Sequence, residues 1–206
     1  MAKPALKDIQ QLLHELIVPF YEIERDMPIP VPSYRNENDA EHSWSLSLLT
    51  AVLAPEIDPS LNVGKATIFA VVHDVVEIYA GDTSVWGPSE HKATKHQREQ
   101  QAITKIAENF TAFPKLHDYI DEYESKSSNE ALFVYALDKF INALIRITDE
   151  GKYFRLKKID FEQFVKGIAD HQKKAHSHDA VGHYYDELLG LFYAHPEHFY
   201  QESAHD

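Results

Sequence analysis

The stretch Ala70-Val-Val-His73-Asp74-Val-Val-Glu77-Ile-Tyr-Ala-Gly81-Asp82 constrains this chain more than any other. Its valines, isoleucine and alanines call for burial, yet it carries a histidine and three carboxylates. A buried carboxylate is costly unless it is paired, hydrogen-bonded or bound to a cation. Glu77 lies four residues after His73 and three after Asp74, so one helix would present all three on one face. Gly81 reads as the stop of that helix, with Asp82 just beyond it. Adjacent His and Asp on a buried helix make a candidate metal site.

The surroundings are helical in pattern. Leu6, Ile9, Leu12, Leu13, Leu16, Ile17 and Phe20 recur at helical spacing over about 5–24, with Pro19 placed to kink or end that helix. Pro28, Pro30 and Pro32 make an extended connector. Asn38 and Glu41 form a capping-box pattern for a helix that reaches Pro55, with His42 in its first turn. A neutral imidazole is favoured at that positive helix end and can bind metal. Helices are expected over about 62–80, 89–110, 114–124, 128–149, 160–175 and 179–194, the fourth of these capped by Ser127 and Glu130. No long alternating pattern, repeat or linker interrupts them. The expectation is an all-α, single-domain helical bundle over residues 1–206.

Composition narrows the function. The formal net charge of -13 argues against a nucleic-acid polymer as partner, though not against a small phosphate ligand. With no cysteine there is no disulfide, thiol nucleophile or cysteine-ligated zinc. No apolar run approaches a membrane span and the first residues lack an apolar signal core, so the expectation is a cytoplasmic protein. Of thirteen histidines, seven lie from His171 onward in a polar region and read as solvated surface groups.

Asp138 is the second anomaly. Val134, Ile141 and Ile145 put it on an apolar helical stripe. It is either a salt-bridge partner of Lys139 or another cation, or a carboxylate directed at a metal. His42, His73, Asp74 and Asp138 together offer two imidazoles and two carboxylates. Such mixed donors suit a divalent ion such as Mn, Co, Fe, Zn, Ni or Mg.

The order His, His-Asp, Asp resembles the HD-domain metal-dependent phosphohydrolase superfamily. Arg35-Asn-Glu-Asn-Asp-Ala-Glu41-His42-Ser43 resembles the Arg-x-Glu-x-x-x-Glu-His-Ser segment of its 5′-deoxynucleotidase branch. His73-Asp74-Val-Val-Glu77-Ile-Tyr-Ala-Gly81-Asp82 resembles that branch's His-Asp-x-x-Glu-x-x-x-Gly-Asp. Lys95-His-Gln-Arg98-Glu99 and Leu137-Asp138-Lys139 follow in the same order. The resemblance implies one divalent ion on His42, His73, Asp74 and Asp138, with Glu77 orienting or deprotonating water. It implies Asp82 at the phosphate or its leaving oxygen, and Arg35, with Arg25, on the phosphate. It also implies a helical bundle, commonly a homodimer. The loop after Asp82 departs from the branch; its Trp86 would either stack on a base or close the bundle.

The implied activity is removal of phosphate from a nucleoside or deoxynucleoside 5′-monophosphate. Two alternatives stand beside it. One is hydrolysis of nucleoside triphosphates, cyclic nucleotides or alarmones. The other is a non-catalytic helical dimer module with a structural metal.

Overall fold

The computed structural model describes residues 3–83 and 89–202. Trp86 and its loop neighbours lie outside the described residues. Helices dominate, as the periodicity predicts. Two short strands, β1 (Glu24–Pro28) and β2 (Asn36–Asn38), pair in a small sheet on either side of the proline-rich connector, where no strand was expected. They are too short and too polar to leave an alternating signature.

The first helical stretch is α1 (Leu6–Leu12), a π-turn at Leu13–Ile17 and α2 (Val18–Phe20). Pro19 has no N–H to return to the Glu15 carbonyl and its ring crowds it, so the turn ahead of it widens. Helix α3 (Asp39–Ile57) starts as predicted. Asn38 accepts from the Glu41 N–H at 2.9 Å, and Glu41 accepts from the Asn38 N–H at 3.1 Å. Helix α4 (Val63–Val72) is capped by Asn62, whose side chain accepts from the Lys65 N–H at 3.0 Å.

Here the chain departs from the single helix expected over 62–80. It turns through His73–Val76 and resumes as α5 (Glu77–Ala80). Through the turn the backbone donors of Val75, Glu77, Ile78 and Tyr79 reach three residues back instead of four. The His73 ring sits on the Ala70 carbonyl, so a side chain competes for an acceptor that the helix ladder uses. Gly81 ends α5 at φ 74°, the left-handed conformation that favours glycine.

Helices α6 (Ser89–Ala93) and α7 (Lys95–Asn109) replace the one polar helix expected there, with a break at Thr94. Helix α8 (Pro114–Ser125) follows, then α9 (Asn129–Thr148), α10 (Lys152–Leu156), α11 (Phe161–Ala175) and α12 (Asp179–Ala194). The cap of α9 is Ser128, which receives the Ala131 N–H, rather than Ser127. Glu130 instead accepts from the Asn62 N–H at 3.0 Å.

The chain packs as two compact units, Met1–Asp26 with Asn36–Val134, and Met27–Arg35 with Tyr135–Asp206. In the first, α3 packs along α4, and Leu16, Val72, Val76, Ala102, Ile106, Phe110 and Ile120 form a buried cluster. The second is built around aromatic rings. Phe154 stacks on Phe199 at 4.7 Å between centroids and meets Phe164 edge-on at 5.2 Å.

Candidate functional site

The interruption after α4 creates the site. His73 is buried, and its Nδ1 lies 2.9 Å from the Ala70 carbonyl oxygen. A carbonyl only accepts, so Nδ1 carries the hydrogen and Nε2 presents a lone pair. That Nε2 is buried, makes no hydrogen bond, and sits 2.8 Å from Asp74 Oδ2. A lone pair facing a carboxylate oxygen at this distance is unfavourable unless a cation or a proton is shared between them. His42, in the first turn of α3 and fully buried, brings its ring centroid to 5.2 Å from that of His73. Its Nδ1 lies 3.2 Å from Glu37 Oε1.

Carboxylates crowd the same place. Asp39, Asp74 and Glu77 each present an oxygen within 4.8 Å of the others. Asp39 and Glu77 are buried. Arg25 Nη1 donates to Asp74 Oδ2 at 2.6 Å and to Asp39 Oδ1 at 3.2 Å, and its Nε lies 3.2 Å from Glu37 Oε1. One guanidinium against this many carboxylates leaves an excess of negative charge. Burial, and then Asp74, push the Asp39 carboxyl up to about 7 against the pull of Arg25. Burial, Asp74, Asp39 and Asp82 push Glu77 well above the usual carboxylate range. Burial pulls the Lys95 ammonium down, but Glu77, Glu99 and Asp74 outweigh it and raise its pKa. Imidazole nitrogen and carboxylate oxygen, buried together under surplus negative charge, are the donor set that a divalent cation requires.

Of the residues singled out from the sequence, Arg25, His42, His73, Asp74 and Glu77 gather in the first unit. Half-buried Asp82 stands near enough to act on both Asp39 and Glu77, and its backbone carbonyl is 3.1 Å from His91 Nε2. Arg35 and Asp138 belong to the second unit. The Arg35 carbonyl accepts from the Ile29 N–H at 3.0 Å. Asp138 is buried on α9, with the Lys139 ammonium at its carboxylate, and remains among the side chains able to ligate a metal. Arg25, expected at a phosphate, is held by three carboxylates. Glu37, Asp39 and Lys95 were not singled out for a role. Glu37 and Asp39 flank the capping Asn38 and pass for acidic residues of a helix start; only packing reveals that both are buried.

The profile of the HD domain family matches residues 22–179. The chain is 33% identical over 112 residues to 5′-deoxynucleotidase hdd1 of Schizosaccharomyces pombe, covering 50% of this chain and 54% of that protein. It is 32% identical over 114 residues to human 5′-deoxynucleotidase HDDC2, covering 52% and 53%. It thus spans about half the length of the curated relatives it matches. A crystal structure of a predicted metal-dependent phosphohydrolase from Magnetospirillum magnetotacticum MS-1 superposes with a TM-score of 0.76 at 24% identity, over 95% of this chain and 96% of that one, a likeness of fold. With the profile matched over more than half its length, and with the adjacent His73 and Asp74 at its site, this chain belongs to the HD domain family.

Proposed function

We propose that the chain is a metal-dependent phosphohydrolase that removes phosphate from nucleoside or deoxynucleoside 5′-monophosphates. The observation that carries this reading is the buried His73 Nε2 facing Asp74 Oδ2 inside a carboxylate cluster that includes Glu77. The 5′-deoxynucleotidase names of the matched relatives support the substrate class.

His42, His73, Asp74 and Asp138 would hold one divalent ion. The first three are supported by their grouping, and Asp138 by its Leu137-Asp138-Lys139 motif and its burial on an apolar helix stripe. Such an ion, when bound, acidifies water and offsets charge on the phosphate oxygens. Glu77, with its raised affinity for protons, takes the proton from the attacking water. Attack at phosphorus breaks the bond to the 5′ oxygen, which Asp82 assists as it leaves. Arg35 and Arg25 neutralise the equatorial phosphate oxygens, with Arg25 already bonded to Asp74. No covalent nucleophile is needed, because positioning and charge suffice for phosphoryl transfer.

The same reading takes the chain as a single HD domain, since the matched span of 22–179 includes residues of both compact units. It takes the protein as a cytoplasmic homodimer. Trp44, Leu48 and Val52 are 68%, 52% and 56% exposed on successive turns of α3, an apolar stripe suited to a second copy. Among the described residues no helix is long and apolar enough to cross a membrane. The test is a panel of nucleoside mono- and triphosphates assayed with each divalent ion. Release of inorganic phosphate from 5′-monophosphates supports the reading; release of pyrophosphate from triphosphates alone contradicts it.

A further inference from the structure

The second unit carries another group of metal-ligating side chains, on the exposed turn Pro196–His198 that follows α12. His195, Glu197 and His198 each offer a donor atom, and these lie within 4.8 Å of one another. The two imidazole rings are nearly parallel, 12° apart in plane with centroids at 4.9 Å. His195 Nδ1 lies 2.8 Å from Glu197 Oε1. His198 Nδ1 is shielded from solvent and has no hydrogen-bond partner.

The backbone that carries these groups is fixed. The His195, His198 and Phe199 N–H groups donate to Phe192, His195 and Pro196 carbonyls at 3.2, 3.1 and 3.3 Å. The Tyr200 N–H donates to Ile159 O at 3.0 Å. Phe199 is buried among the aromatic rings. Gly151 approaches so closely that a Cβ there would stand 2.1 Å from the His198 carbonyl oxygen, which pins the turn from the other side. The donors are therefore arranged before any ion arrives, which limits the ordering that binding must impose.

We infer that His195, Glu197 and His198 form a second divalent-metal site, separate from the His73–Asp74 centre. Two imidazoles and one carboxylate favour ions such as zinc, nickel, cobalt or copper over magnesium or calcium, which seek oxygen. The ion would clasp the C-terminal turn and satisfy the buried His198 nitrogen.

Titration calorimetry of the full chain with zinc or nickel tests this. The His195→Gln/His198→Gln protein should bind one ion fewer than wild type and unfold at the same temperature in chelator. Glu197→Gln should weaken the same site by tenfold or more. Phosphate release from nucleotides should be unchanged in both variants, so failure of this site and failure of the proposed activity are told apart. Equal stoichiometry in wild type and the double variant overturns the inference. So does copper bound to wild type without two-nitrogen hyperfine structure in its electron paramagnetic resonance.

Discussion

His171 on α11 gives a stability prediction with a definite size. It is buried in the second unit, not solvated as its place in the polar C-terminal region predicts, and burial, with the charges of Lys139 and Arg146, depresses its pKa to about 3 from an ordinary value of 6.5. Asp138 pulls the other way and is outweighed. A histidine depressed on folding is protonated in the unfolded chain at a pH where the native chain leaves it neutral. Its stabilising share is complete above 6.5 and is lost as pH falls from there toward 3. At about pH 5 the unfolded state gains roughly 1.5 log units of protonation free energy, or about 2 kcal/mol. That figure is set by the unfolded value, because pH 5 lies well above the folded one. His171→Leu removes the group at similar volume. Urea unfolding at pH 8 and pH 5 should show wild type losing about 2 kcal/mol more stability than the variant over that interval. Parallel losses in the two proteins would refute the reasoning, since all other titrating groups are common to both.

Three further outcomes follow from the site. Arg25→Met leaves Glu37, Asp39 and Asp74 without their guanidinium and should cost about 3–5 kcal/mol at neutral pH, read by chemical denaturation. Glu77→Gln should retain the metal, by calorimetry, and lose about 10²–10⁴-fold in turnover if it is the proton acceptor. If the proposed homodimer forms through the exposed stripe of α3, Trp44→Glu should give a monomer in sedimentation experiments where wild type sediments as a dimer; an unchanged mass would contradict that interface.

Much of this was legible in the sequence because periodicity and capping are local. Asn38 with Glu41 and the Gly81 stop are found where short-range chemistry places them. The break after Val72 was not, since apolar residues continue across it and only the His73 ring on the Ala70 carbonyl marks the change. The sheet escaped notice because its strands are short and carry Glu24, Arg25, Asp26 and Asn36 in place of β-branched residues. His42, His73, Asp74 and Glu77 stood out as polar groups in apolar surroundings. Glu37 and Asp39 did not, because a buried acid beside a helix cap has the same local spelling as an exposed one. Arg25 was placed with phosphate on resemblance, whereas the structure adds its bonds to Asp39 and Asp74.

Asp74 sits at the meeting point of imidazole, guanidinium and carboxylate, so its replacement is the most direct test. Asp74→Ala should abolish both binding of a divalent ion at this centre and release of phosphate from nucleoside 5′-monophosphates, with the protein still folded. Undiminished hydrolysis in that variant would contradict the assignment.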